Sequence, residues 1–260
     1  MKRGVFIFTL LIAFLLLGIF SSAYASVVKW QQMPRMDQYG YDFSSETQVP
    51  SAVADDWKCN DERDVIAIGW WGSYWLPMDK AGNSYYPYPN SDHWGDPVNV
   101  PPGTVTGFII RIYDDIPAGA GDPPWSHPGN LLYAATLSMG QVTETSYGTI
   151  DHAEGPNTIT ETVFQYKTSL AKPFQQEIGT IYWLSIVAID PNGNPIQWGW
   201  HESEVLIGDN AVQAGYSTIP WDLIPTKDMA FELGVVPLPN TLLLVATGLI
   251  GILGMRRKFH

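Results

Sequence analysis

The stretch Ile181-Tyr-Trp-Leu-Ser-Ile-Val-Ala-Ile189 is apolar on both faces of an extended chain, which is typical of a central strand covered on both sides. It stops at Asp190-Pro-Asn-Gly-Asn-Pro195, a dense cluster of turn-forming residues. The segment Ile196–His201 follows, and the pattern predicts that it returns as the second arm of a hairpin. The fold is therefore expected to be organised around antiparallel strands.

Other segments alternate between apolar and polar residues, as half-buried strands do. Phe108, Ile110 and Ile112 share one face of such a segment, and Phe164 and Tyr166 share one face of another. The predicted strands are Val65–Trp71, Thr104–Tyr113, Leu131–Leu137, Glu161–Thr168, Ile181–Ile189, Ile196–His201 and Ala230–Gly234.

Between these strands the sequence is rich in turn-forming residues, and residues 26–234 show no helical period over three turns. Pro128-Gly129-Asn130 predicts a turn, and 77–103 a long loop. Residues 26–50 are expected to lie extended along the fold. This pattern predicts an all-β domain, an antiparallel β-sandwich that is jelly-roll-like, over 26–234.

The N-terminus has the layout of a secretory signal peptide. Lys2 and Arg3 precede an uninterrupted apolar run, and the triplet Ala23-Tyr24-Ala25 supplies small residues at Ala23 and Ala25 for signal peptidase. We expect residues 1–25 to be removed after Ala25. The domain that follows is then exported.

The C-terminus, residues 235–260, forms a second localisation signal. Residues 238–255 are uncharged and predominantly apolar and, as a helix, would be about 27 Å long, enough to cross the hydrocarbon core of a bilayer. Arg256, Arg257 and Lys258 follow, and basic residues stay on the cytoplasmic side. The sequence predicts a transmembrane helix with the preceding domain outside the cell.

The motif Val236-Pro237-Leu238-Pro239, followed by an apolar helix and a basic end, resembles the PEP-CTERM sorting signal of Gram-negative bacteria. The family's motif has Glu at the position of Leu238. The resemblance implies recognition by an exosortase, a membrane transpeptidase-like cysteine protease, and association with extracellular polysaccharide or biofilm matrix. Whether the tail is cleaved or kept as an anchor stays open.

The exported domain, 26–234, contains nine basic and 26 acidic residues, a net charge of −17. Such a domain repels nucleic acid and anionic lipid. Its one cysteine, Cys59, excludes an internal disulfide and is expected to be buried as a small hydrophobe.

The same domain resembles a family of uncharacterised bacterial extracellular all-β domains, which implies the fold and no activity. The resemblance spans roughly residues 30–233. The residues that carry it are Ala54-Asp55-Asp56-Trp57-Lys58-Cys59, Ile112-Tyr113-Asp114-Asp115-Ile116-Pro117, Ser126-His127-Pro128-Gly129-Asn130-Leu131-Leu132-Tyr133, Gly179-Thr180-Ile181-Tyr182-Trp183-Leu184 and Gln197-Trp198-Gly199-Trp200.

The strongest candidate for a ligand site follows that last motif. On one continuous strand, Trp198, Trp200, Glu202 and Glu204 would share a face. Flat aromatic rings stack on sugars, and paired carboxylates can also catalyse glycoside hydrolysis. Alternatively, both tryptophans pack in the core and both glutamates are solvated.

A second concentration of aromatic residues predicts either a binding patch or a loop pinned to the domain by its own rings. It comprises Trp70, Trp71, Tyr74, Trp75, Tyr85, Tyr86, Tyr88 and Trp94.

Two aspartate pairs, Asp55-Asp56 and Asp114-Asp115, are candidate ligands for a structural calcium ion, and solvated turns are the alternative. No other cofactor is expected. The domain's four histidines show no spacing that pairs them into a metal site. They are His93, His127, His152 and His201.

The sequence has no recognised catalytic motif, and we expect a non-enzymatic surface or matrix protein that binds extracellular polysaccharide. A glycan-active enzyme using Glu202 and Glu204 is the alternative, and a structural spacer is a third possibility.

The signal peptide and the C-terminal sorting signal together predict the mass of the mature protein. Protein recovered from cells is expected to begin at Ser26, and protein recovered from the medium to lack also the tail beyond Pro239. Intact-mass spectrometry of both fractions measures this. An N-terminus at Met1 would contradict the signal peptide, and an intact tail in the membrane fraction would indicate a plain anchor.

Overall fold

A computed structural model of the chain describes residues 26–47, 51–74, 105–154, 157–189, 198–215 and 220–237, with the backbone alone for 152–154 and 157–160. Within these ranges strands alternate with turns and bends, and the one helical segment is a 3-10 turn at Met139–Gln141. The strands are β1 (Val27–Gln32), β2 (Asp42–Ser44), β3 (Ala52–Lys58), β4 (Val65–Tyr74), β5 (Gly107–Ile116), β6 (His127–Ser138), β7 (Thr143–Glu154), β8 (Asn157–Phe174), β9 (Ile181–Ile189), β10 (Trp198–His201), β11 (Val212–Ala214), β12 (Asp222–Leu223) and β13 (Phe231–Val235).

Seven of these strands form a sheet centred on β4. One edge of β4 pairs with β8, which pairs in turn with β7. The other edge is shared, because β13 pairs with the first part of β4 and β10 with the last. Beyond them lie β1, next to β13, and β2, next to β10.

The other six strands form the second sheet, in the order β12-β11-β3-β9-β5-β6. In β5, Phe108, Ile110 and Ile112 are fully buried on one face, as their alternation predicts. In the first sheet Phe164 and Tyr166 of β8 are buried in the same way. Both alternation patterns are therefore confirmed.

The inner faces of the two sheets share one aromatic core. Trp70 stacks on Tyr166 with ring centroids 5.6 Å apart, and both belong to the seven-stranded sheet. Phe108 of the other sheet meets Trp70 at 4.9 Å and Trp198 at 5.2 Å, each edge to face. These ring geometries are the favourable ones for aromatic pairs. The prediction of an all-β fold with antiparallel sheets is confirmed.

The strand at Ile181–Ile189 is central, with β3 on one side and β5 on the other. Because both of its edges are already paired, it cannot also form a hairpin with the segment that follows. β10 lies in the other sheet, against β4 and β2. The predicted hairpin is therefore wrong: this part of the chain crosses from one sheet to the other, and the residues between, 190–197, lie outside the described ranges.

The predicted turn at Pro128-Gly129-Asn130 is also wrong, since β6 runs through these residues. The pairing of β6 with β5 shifts register twice in this region. Asp114 accepts a hydrogen bond from the Asn130 side-chain amide at 2.9 Å. The irregular residues are thus accommodated as a bulge inside a strand pair.

Two further expectations have clear outcomes. Cys59 is buried and free, as expected. In the part of 26–50 that the structure describes, 26–47, Val27–Gln32 and Asp42–Ser44 form strands of the seven-stranded sheet, and a turn lies between them. The predicted loop at 77–103 lies outside the described residues.

No helix in the described ranges combines the length and apolarity required for a membrane span. The predicted signal peptide, 1–25, and the predicted transmembrane helix, 238–255, both lie outside those ranges.

The core depends on a glycine at position 72. A Cβ atom at Gly72 would overlap the ring of Trp198 and the backbone oxygen of Gly199. We expect Gly72→Ala to lower the free energy of unfolding by about 1–3 kcal/mol or more, because the added methyl group forces rings and backbone apart. Urea titration followed by tryptophan fluorescence measures this.

Gly121→Ala is the matched control, since a Cβ atom at Gly121 meets nothing within 4 Å. The control should change the free energy by less than about 0.5 kcal/mol. Equal stability of the two variants would contradict the close packing of Trp198 on β4.

Candidate functional site

Three ionisable side chains converge on the outer face of the seven-stranded sheet. His201 ends β10, Asp42 begins β2 directly opposite it, and Glu161 lies on β8. Each side chain has one possible metal-binding atom, an imidazole nitrogen or a carboxylate oxygen, and these three atoms all lie within 4.8 Å of one another. Among the described residues, these are the three His, Cys, Asp or Glu side chains that are close enough together to hold one metal ion. We call these three residues the His201 cluster.

Hydrogen bonds orient the histidine ring. His201 Nε2 lies 2.8 Å from the backbone oxygen of Arg35 and donates to it. His201 Nδ1 lies 3.0 Å from Asp42 Oδ1 and 3.8 Å from Glu161 Oε1. The second oxygen of Asp42 accepts a hydrogen bond from Ser73 Oγ at 2.6 Å. Each member of the cluster is thus held by its strand and by a neighbour.

The cluster is almost closed to solvent. The side chains of His201, Glu161 and Asp42 are 0%, 2% and 8% exposed. The segment 33–41, which we call the strap, lies against His201. A Cβ atom at Gly40 would overlap the backbone oxygen of Arg35 and lie 3.1 Å from His201 Nε2, which explains a glycine at this position.

The electrostatics favour a charged imidazolium when only protons are present. Burial opposes protonation of His201, but the charge and hydrogen bond of Asp42 and the charge of Glu161 outweigh it and raise the pKa of His201 to about 9. Burial also opposes ionisation of Asp42, yet its interactions with His201, Glu161 and Ser73 hold the pKa of Asp42 below its ordinary value.

The two tryptophans of the predicted ligand site face the core. Trp198 and Trp200 are both fully buried, and Trp200 donates from Nε1 to the backbone oxygen of Ala230 at 2.8 Å. Neither ring offers a face to a ligand. The strand ends at His201, so the shared face expected for four residues does not extend beyond it.

The two glutamates of that site lie in different surroundings. Glu202 is fully buried, with Oε1 3.5 Å from Arg35 Nη1 and Oε2 paired with Lys227 Nζ. Glu204 is exposed, and its backbone N–H donates to the oxygen of Met33. Glu202 therefore acts as an internal counter-ion, and Glu204 is solvated.

The aspartate pairs are hydrogen-bonded to the protein. Asp55 Oδ2 accepts from the backbone N–H of Met229 at 2.7 Å, and Asp56 Oδ1 from that of Asp209 at 2.8 Å. Asp115 Oδ1 accepts from Trp183 Nε1 at 2.9 Å, and Asp114 binds Asn130 as described. A calcium ion at these four aspartates stays a prediction.

Other predicted sites are buried or lie outside the described ranges. Trp70, Trp71 and Tyr74 are buried, and the remaining residues of that aromatic concentration fall in 75–104, which is not described. Val236 and Pro237 are the described residues of the sorting motif. The rest of that motif, Ala23 and Ala25 lie outside.

Sequence reasoning singled out the stretch that contains His201 but missed its partners. Asp42 and Glu161 are distant from it in the chain, and the pairing of β2 with β10 and of β8 with β4 brings them together. The single usable signal was period two: if Trp198 and Trp200 face the core, His201 faces the other way.

Two family models match the chain. Residues 28–234 match the family described as Domain of unknown function (DUF7901), and residues 235–258 match the PEP-CTERM protein-sorting motif. No curated protein matches the sequence. The chain belongs to the DUF7901 family and ends in a sorting motif that indicates export and processing by an exosortase.

The buried aspartates predict a specific dependence of stability on pH. Burial, together with the charges of Asp209, Asp228 and Asp115, raises the pKa of Asp56 to about 8. Burial and the charges of Asp228 and Asp56 raise the pKa of Asp55 as well. The folded state therefore holds protons that the unfolded chain has lost, and stability falls as pH rises from about 4 to about 8.

We expect Asp56→Asn to be more stable than the wild type at pH 8. In this variant the free energy of unfolding should fall less steeply with pH, by up to about 1.4 kcal/mol per pH unit. Urea titrations between pH 5 and pH 8.5 measure both quantities. Glu177→Gln, at an exposed carboxylate, is the control and should leave the slope unchanged. An unchanged slope in Asp56→Asn would contradict the assignment.

Proposed function

We propose that this chain is a non-enzymatic surface or matrix protein whose domain, a jelly-roll-like β-sandwich, binds extracellular polysaccharide after exosortase processing. The observation that carries the proposal is the order of the two matches: the DUF7901 domain ends at residue 234, and the sorting motif begins at 235. A protein with this arrangement delivers one folded domain to the outside of the cell.

The outer side of the strap supports a binding role. Tyr39 and Tyr41 are 54% and 52% exposed. The guanidinium of Arg35 lies 5.7 Å from the ring centroid of Tyr39, and Lys227 Nζ lies 5.4 Å from that of Tyr41. We call these four residues the tyrosine face. Its rings can stack on sugars, and the cations, held by cation–π contacts, can bind hydroxyl groups.

The net charge of the domain affects which class of polysaccharide it can bind. A net charge of −17 disfavours a strongly anionic polymer, because long-range repulsion slows its approach. Arg35 and Lys227 also pair with Glu202, so little positive charge is left for acidic sugars. A neutral or weakly charged polysaccharide fits the tyrosine face better.

The geometry favours binding over glycoside hydrolysis. Hydrolysis requires two carboxyl groups that flank one glycosidic bond. Glu202 is buried in ion pairs with Arg35 and Lys227, whereas Glu204 is exposed to solvent. A substrate would have to displace those ion pairs to reach Glu202.

Polysaccharide binding is expected to depend on the two tyrosines of the tyrosine face. We expect the double variant Tyr39→Ala, Tyr41→Ala to bind the producing organism's own exopolysaccharide about tenfold more weakly than the wild type, because two stacking surfaces are lost. Co-sedimentation of purified protein with that polysaccharide measures the loss.

Leu131→Ala, Leu132→Ala is the matched control. These residues are 54% and 48% exposed, and they lie on β6 in the other sheet. The control should bind as the wild type does. No binding by the wild type would favour the structural spacer, and equal loss in both double variants would place the site elsewhere.

A further inference from the structure

We propose that Asp42, Glu161 and His201 together bind one divalent transition-metal ion, and that Zn²⁺ is the ion that suits them best. This inference is independent of polysaccharide binding. It assigns a role to a cluster on which the proposed function does not depend.

The spacing of the three side chains suits such an ion. Ligand atoms at about 2.0–2.2 Å from zinc lie about 3.0–3.5 Å from each other in octahedral or tetrahedral arrangements. His201 Nδ1 lies 3.0 Å from Asp42 Oδ1 and 3.8 Å from Glu161 Oε1. The possible ligand atoms of Asp42 and Glu161 lie within 4.8 Å of each other, so rotation of the two carboxylates would bring all three atoms to bonding distance from a common centre.

The orientation of the imidazole points to the same conclusion. His201 Nε2 donates to the backbone oxygen of Arg35, so the neutral ring has its lone pair on Nδ1. That lone pair is aimed at the carboxylate oxygens of Asp42 and Glu161. Three electron-rich atoms at such distances repel one another unless a cation or a shared proton lies between them. Metal-binding histidines are commonly oriented by such a bond from the other ring nitrogen.

A single divalent ion offsets the charges of the two carboxylates. With a divalent ion and a neutral imidazole, the net charge of the buried cluster is zero. Protons reach the same balance only when His201 and one of the two carboxylates are both protonated. Because an uncompensated buried charge is strongly unfavourable, one divalent ion does what two protons would otherwise do.

The ligand chemistry selects the class of ion. Calcium binds six to eight oxygen atoms, and this cluster supplies one nitrogen and two carboxylates. A nitrogen and carboxylate set suits zinc, with water in a remaining position. The 8% exposure of the Asp42 side chain places the entrance on its side of the cluster.

Equilibrium dialysis of the full-length protein in detergent, stripped with EDTA and then exposed to Zn²⁺, tests the proposal. We expect one zinc ion per chain, measured by mass spectrometry of the metal. Glu161→Gln and Asp42→Asn should each weaken binding by more than about tenfold. Ser73→Ala, which removes the hydrogen bond to Asp42 Oδ2, should weaken it by about tenfold while the protein stays folded.

His127→Asn is the matched control, since His127 is also buried and its Nδ1 lies 2.9 Å from the backbone oxygen of Trp125. This variant should keep its zinc. Binding that is unchanged in Glu161→Gln, or no zinc on the folded wild-type chain, overturns the proposal.

A spectroscopic measurement keeps the test decisive if the ligand variants do not fold. Co²⁺ in the wild-type protein should show the intense visible bands of a low-coordinate site with nitrogen and oxygen ligands. The weak spectrum of the hydrated ion would overturn the proposal as well.

Discussion

The two sheets are held together by aromatic rings that fit between them because one position of β4 has no side chain. Trp198 lies against Gly72 so closely that a Cβ atom there would overlap its ring. From this position Trp198 reaches both Phe108 of the opposite sheet and Tyr166 of its own. The rings bury large apolar areas and meet in favourable geometries, so this contact fixes the spacing of the sheets.

The same contact determines what the outer face of the seven-stranded sheet presents. Side chains alternate along a strand, so a β10 that turns Trp198 and Trp200 into the core must turn His201 outward. The paired strand β2 then places Asp42 on the same outer face. The core and the His201 cluster are therefore two consequences of one register, and a slip by one residue would abolish both.

Sequence patterns predicted the strands more reliably than their partners. Period two identified the buried faces of β5 and β8, because alternation is a property of a single strand. The hairpin expected after Ile189 failed, since turn residues show where a strand ends and do not show which sheet the next strand joins. The His201 cluster depends on pairings between strands remote in the chain, and neither composition nor local spacing encodes those. The sorting motif could be recognised because its residues are contiguous.

The strap connects the buried chemistry to the surface. On its inner side, the backbone oxygen of Arg35 accepts the hydrogen bond from His201, and the N–H of Arg35 donates to the oxygen of Glu202. On its outer side, the guanidinium of the same residue lies over Tyr39. A surface loses less conformational entropy on binding when its loops are already ordered, and these hydrogen bonds order the segment that carries Tyr39. The same backbone contacts that enclose His201 therefore also fix the position of the segment whose outer side carries Tyr39 and Tyr41.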